Sequence, residues 1–247
     1  MRRASWAAIV ALLGSMVPLA LATAPAAAES PPAGRVFAYG LNYNGQLGAG
    51  STVSTSQPLE ATGTGDVVAV AAGNFHSLAV RADGSVMAWG SNYRGQVGDG
   101  TSRDRLSPVP VAGLSSACAM SSPFAPMPCV TAVAAGESHS LALRADGSVM
   151  AWGGNDSGQL GVGSVASKKT PVQVPELTGV TAIAAAGKHN LALKADGSIW
   201  AWGKNDKGQL GDGTTVTRTA PVAVQGYPDP GKPMAGVVAI AAGAWEA

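Results

Sequence analysis

The sequence is poor in the residues from which most active sites are assembled. Of 247 residues, three are histidine and two are cysteine. Only 13% are charged, and the formal net charge is +1. A near-neutral chain with so few charges has no basic footprint for nucleic acid or an anionic membrane surface. The two cysteines, Cys118 and Cys129, form no CxxC and have no histidine nearby, which argues against metal or redox chemistry. Aromatics amount to 5%, whereas glycine reaches 33 residues. That balance suits many short strands joined by tight turns.

One apolar run is long enough to need explanation. Arg2 and Arg3 precede Ala7–Leu21, which is interrupted by Gly14, Ser15 and Pro18, and Ala26-Ala27-Ala28 offers a small-residue cleavage site. Residues 1–28 therefore read as a secretory signal peptide, with an uncleaved anchor as the alternative. Cleavage would remove two arginines and take the formal charge from +1 to −1. No other run approaches spanning length, so the expectation is a secreted or cell-surface protein with no membrane span after signal cleavage. In an exported chain, Cys118 and Cys129 flank a Ser/Pro/Met-rich insertion and are expected to close it as a local disulfide; a pair of free thiols is the alternative.

What the chain does contain is one sentence repeated. AAGNFHSLAVRADGSVMAWGSNYRGQVG (Ala71–Gly98), AAGESHSLALRADGSVMAWGGNDSGQLG (Ala134–Gly161) and AAGKHNLALKADGSIWAWGKNDKGQLG (Ala185–Gly211) are near copies. Val36–Gly48 and Ala241–Trp245 are partial ones. A period near 50 residues signals a repeat architecture. Within a unit, VVAVA, HSLAVR and VMAW read as strands, and Asp83-Gly84 between the last two is a strong hairpin signal. A proline-bearing run (PVPV at Pro108, PVQV at Pro171, PVAV at Pro221) reads as an outer edge strand, where a missing N–H is tolerated. Four short antiparallel strands per unit describe a β-propeller blade. The fold expected is all-β, with about four blades in an incomplete or open array. The repeats run approximately over 35–57, 58–107, 108–170, 171–220 and 221–247, in a domain covering 29–247.

The constant residues are expected to be structural. Trp89, Trp152 and Trp202, with Tyr39, recur at one position and read as packing between blades. Asn-x-x-Gly-Gln recurs at Asn42, Asn92, Asn155 and Asn205, as a turn whose amides satisfy backbone groups. Asn155-Asp156 and Asn205-Asp206 hint at calcium, but no copy has the alternating carboxylates and bidentate Glu of such a loop. His76, His139 and His189 open equivalent strands, so no metal site is assigned to them, and no cofactor is expected. No Ser-His-Asp or paired-carboxylate arrangement stands outside the repeat, and the chain reads as not an enzyme.

The pattern AAG-x-x-H-S-L-A-L…D-G-x-V-x-A-W-G-x-N-x-x-G-Q-L-G resembles the repeat of the regulator-of-chromosome-condensation family over Val36–Trp245. The resemblance implies propeller blades whose loops bind other proteins. A secreted relative, the propeller-type β-lactamase inhibitory protein, presses aromatic residues in the loops after the Ala/Gly strand onto its partner. The corresponding positions here are Asn74 and Phe75, Glu137 and Ser138, Lys188, and Trp245. These are the candidate partner-binding residues. Phe75 and Trp245 match the aromatic anchors, whereas Glu137, Ser138 and Lys188 depart from them; Phe75 has the alternative of covering a blade edge. The function expected is an exported scaffold binding a protein of unknown identity, with self-association through open sheet edges as a further expectation. A carbohydrate-binding or enzyme-accessory propeller and a truncated, nonfunctional fragment are the alternatives.

Overall fold

The computed structural model describes residues 34–114, 129–226, 229 and 231–243, together with the backbone of residues 9–13. Among the described residues there is no helix, and every sheet is antiparallel. Three sheets have four strands. The first holds β4 (Val67–Ala72), β5 (His76–Arg81), β6 (Val86–Gly90) and β7 (Arg105–Pro110). The second holds β8 (Val130–Ala135), β9 (His139–Arg144), β10 (Val149–Gly153) and β11 (Lys168–Gln173). The third holds β12 (Val180–Ala186), β13 (His189–Lys194), β14 (Ile199–Gly203) and β15 (Arg218–Ala223). Ahead of them lies a three-stranded sheet of β1 (Ile9–Leu13), β2 (Arg35–Gly40) and β3 (Thr55–Glu60), in that order. The architecture is an open, partial propeller of about four blades.

One sequence expectation changes. The repeat boundaries 58–107, 108–170 and 171–220 placed each proline-bearing strand at the start of a blade. In the structure that strand closes the preceding blade: β3 pairs with β2, and β7 with β6. Of residues 1–28 only the backbone of Ile9–Leu13 is described, and it lies as strand β1 against β2, with Ile9 opposite Tyr39 and Leu13 opposite Arg35.

The hairpins form as the Asp-Gly pairs direct. Asp83 Oδ1 accepts from both the Ser85 amide and hydroxyl, at 2.9 and 2.6 Å, and Asp146–Ser148 and Asp196–Ser198 repeat this. Each outer strand joins through an irregularity beside the tryptophan, where register shifts between Ala88 and Gly90 and at the matching points of the other sheets. Gly90 is required there. It has φ +96°, and a Cβ would lie 2.5 Å from the Phe75 carbonyl oxygen.

The apolar core lies between sheets rather than within one. One buried cluster joins Leu78, Val80, Val86 and Ala88 of one blade to Ala142, Met150 and Trp152 of the next. The Ala-rich inner strands β4, β8 and β12 neighbour one another, because small side chains let strands crowd near the axis.

Candidate functional site

The interface between blades positions the site. Asn42, Asn92, Asn155 and Asn205 are fully buried. In each, Oδ1 accepts the amide five residues on: Leu47, Val97, Leu160 and Leu210, at 2.9–3.0 Å. Asn155 Nδ2 also donates to the Ser164 and Ala166 carbonyls, at 2.8 and 3.0 Å. In two loops a carboxylate joins the clamp. Asp99 and Asp212 accept from Thr101 and Thr214 and pair with Arg105 and Arg218. Burial alone would raise the Asp212 carboxyl, but Thr214, Arg218 and Asn205 outweigh it and hold it at about 2. These are turn-holding contacts, and no group of three or more metal-ligating side chains occurs among the described residues.

The clamped loop turns one backbone carbonyl toward the next blade. Gln96 O accepts Trp152 Nε1–H at 2.9 Å and Ser140 Oγ–H at 2.8 Å. Gln159 O accepts Trp202 Nε1–H at 3.0 Å and Asn190 Nδ2–H at 2.8 Å. Gln46 O accepts Trp89 Nε1–H and Ser77 Oγ–H, both at 2.9 Å. Both lone pairs of each carbonyl are thereby used.

The histidines extend this chain. His139 Nε2 lies 2.7 Å from Asn190 Oδ1, and His76 Nε2 lies 2.9 Å from Ser140 Oγ. Ser140 spends its one hydrogen on Gln96 O, and the Asn190 Oδ1 can only accept, so each imidazole must donate from Nε2. Both rings are buried, and burial pushes His76 down to about 3 and His139 to about 4. Each Nδ1 is without a hydrogen-bond partner. It faces the Cα of Gly73 or Gly136, where a Cβ would lie 2.6 or 2.5 Å away. The glycine of AAG is thus needed for room. The His-Ser and His-Asn pairs thus bond from one blade to the next.

This frame carries a row of variable tips beside the Asn-x-x-Gly loops of the preceding blade. The carbonyls of Phe75, Ser138 and Lys188 accept the amides of Ser91, Gly154 and Lys204, at 2.8–2.9 Å. Lys188 Nζ reaches back across a blade boundary to Asp156 Oδ2 at 2.9 Å, which raises the Lys188 pKa and lowers that of Asp156.

The candidate residues divide. Asn74, Phe75, Glu137 and Lys188 are half-buried. Ser138 is only 5% exposed, tucked against Gly154, and offers a partner little surface. Trp245 and Cys118 lie outside the described residues, so neither the second anchor nor the Cys118–Cys129 pairing is placed.

Sequence reasoning missed two residues on this face. Tyr43 and Tyr93 occupy the second position of their Asn-x-x-Gly loops and are 73% and 59% exposed. The Arg94 guanidinium lies 5.6 Å from the Tyr93 ring centroid. The later loops have Asp156 and Asp206 at that position. The signal was available: a position that varies inside an otherwise constant turn.

Comparison with known proteins agrees with this architecture. Residues 26–246 match the RCC1-like domain, and the chain belongs to that family. Among solved structures it resembles yeast RCC1 (Prp20) bound to Kap60, with 22% identity and a TM-score of 0.65, covering 78% of this chain and 45% of that one. Prp20p from Saccharomyces cerevisiae, described with its binding to Gsp1p and histones, matches at 24% identity and TM-score 0.65, over 78% and 47%. Human WBSCR16 matches at 26% and 0.63, over 77% and 49%. The chain spans about half the length of these structures.

Proposed function

We propose that this protein is an exported binding scaffold that engages a partner protein through the face bearing Tyr43, Phe75, Tyr93 and Lys188. The observation that carries the reading is the exposure of Tyr43 and Tyr93 on turns whose asparagine and glutamine are buried. A rigid frame that presents protruding aromatics is a binding device, since such residues dominate interface energetics. Among the described residues the constant Asn, Ser, His and Trp groups are spent on holding blades together, which supports reading the repeat as a binding scaffold rather than an enzyme. RCC1-like structures described with bound proteins support the class of activity without naming the partner. Export rests on residues 1–28, and a Cys118–Cys129 bridge fits an oxidising destination. Amino-terminal sequencing of protein from the medium should begin at Glu29; a start at Met1 or Arg2 contradicts cleavage.

The binding face is tested by a photo-crosslinking amino acid placed at position 93 or, as control, at Ala82 on the opposite hairpin tips. The reading expects a discrete protein adduct at position 93 that Tyr43→Ala abolishes. No adduct at 93, or the same adduct from position 82, contradicts it.

A further inference from the structure

Where the second and third four-stranded sheets meet, the chain departs from its own repeat at two positions, and both departures line one pocket. Trp200 of β14 stands where β6 and β10 carry Met87 and Met150. Glu176, in the turn after β11, stands where the preceding blades have Gly63 and Gly113. With Gly161, Gly163, Pro175 and Pro221 they surround about 310 Å³ across the blade boundary. That volume lies at the lower end of the range for small-ligand sites. None of Tyr43, Phe75, Tyr93 and Lys188 lines it.

The folding of the blade asks for neither residue. Gly63 and Gly113 have φ +71° and +72°, and Glu176 holds φ +59°. That left-handed region suits glycine, and among other residues asparagine and aspartate rather than glutamate. Backbone held in a conformation unfavourable to its residue is concentrated at functional sites. The Glu176 side chain is exposed, and among the described residues no hydrogen bond or ion pair engages its carboxylate. Met87 and Met150 are 6% and 8% exposed. Trp200 packs against the buried cluster of its interface as well, yet it is only half-buried and turns its remaining surface to the pocket.

The charges beside the ring select the ligand. Lys194 Nζ lies 5.0 Å from the centroid of the Trp200 ring, so a second cation would meet an ammonium already in place. An anion would meet the Glu176 carboxylate. A neutral molecule with one apolar face and many hydroxyls is opposed by neither. We propose that this pocket binds a neutral carbohydrate, with a pyranose ring laid on Trp200 and its hydroxyls donating to Glu176. The electron-rich face of the indole attracts the weakly positive C–H bonds of the sugar ring. An unpaired carboxylate is a strong acceptor for its hydroxyls. Gly161 and Gly163 leave room beside the indole, and Pro175 and Pro221 give rigid apolar walls. This site is separate from the protein-binding face and does not depend on it.

Saturation-transfer difference NMR on the full chain tests the assignment, with maltotetraose, cellotetraose and chitotetraose as probes. At least one should receive saturation on its ring C–H protons. Trp200→Met supplies the residue of the earlier blades, and it should abolish the transfer while the chain still unfolds in a cooperative thermal transition. Glu176→Gly should weaken the transfer and raise the transition temperature, because the left-handed position then holds the residue that suits it. Tetragalacturonate and tetramethylammonium, the charged controls, should receive none. No transfer to any of the three sugars overturns the proposal. So does transfer that either substitution leaves intact, or binding of tetramethylammonium in place of the sugars.

Discussion

His139 Nε2 donates to Asn190 Oδ1 across 2.7 Å, from one blade to the next, with no water between them. The same asparagine passes a hydrogen to Gln159 O, which also receives Trp202 Nε1–H. Blade order in this protein is thus held by a polar chain buried in an apolar interface, where a fully satisfied network is favourable and a broken one costly.

Removing one member should cost more than removing both. Asn190→Leu leaves the Nε2–H of His139 buried and unpaired, and is expected to lower stability by about 1–3 kcal/mol. A double-mutant cycle with His139→Phe, read by urea unfolding, should show that the second substitution recovers part of the loss. Additive losses would mean that the pair is not coupled.

Acid should act through the same rings. His76 and His139 are neutral when folded, with pKa near 3 and 4, against 6.5 for the unfolded chain. Between those limits the unfolded state binds more protons, so stability falls as pH drops below about 6.5 and continues to fall toward pH 4 and below. Above 6.5 these rings contribute no pH dependence. In His76→Gln the slope of unfolding free energy against pH over 4–6.5 should shrink relative to the parent.

Asp212 should act lower on the scale. Its carboxyl is held at about 2 against an ordinary 3.8, so its contribution is complete above 3.8 and is lost as pH falls toward 2. The stability difference between parent and Asp212→Asn, followed by chemical denaturation, should be constant near neutrality and vanish below pH 2.

Glycines at one repeat position should differ in what they tolerate. Gly158 and Gly208 both have positive φ, +71° and +78°. A Cβ at Gly158 would meet Thr219 Cα at 2.7 Å, whereas at Gly208 the nearest atom is 3.9 Å away. Both alanine variants carry the left-handed penalty of about 1–2 kcal/mol, and Gly158→Ala should lose roughly 1–3 kcal/mol more from overpacking. Thermal unfolding of the two single variants beside the parent reads this comparison.

The fold was legible because the repeat is nearly verbatim: strand identities, the Asp-Gly hairpins and the tryptophans as blade-packing residues all followed from pattern. Which blade owns the proline-bearing strand did not follow, since periodicity sets the length of a repeat but not where the sheet is cut. The histidines were read as structural, yet their partners were invisible because His139 and Asn190 lie 51 residues apart and belong to different copies. On the candidate face, attention to the tip before each histidine singled out Ser138, which packing against Gly154 buries. It passed over Tyr43 and Tyr93, whose exposure depends on the adjoining loop being clamped from below.

The direct test of the interface is the protonation state of the buried rings, observed by long-range proton–nitrogen correlation on histidine-labelled protein. His76 and His139 should both show the neutral Nε2–H tautomer, unchanged from pH 7.5 to 5. A ring that titrates near 6.5, or carries its proton on Nδ1, would contradict the blade-to-blade chain on which the account rests.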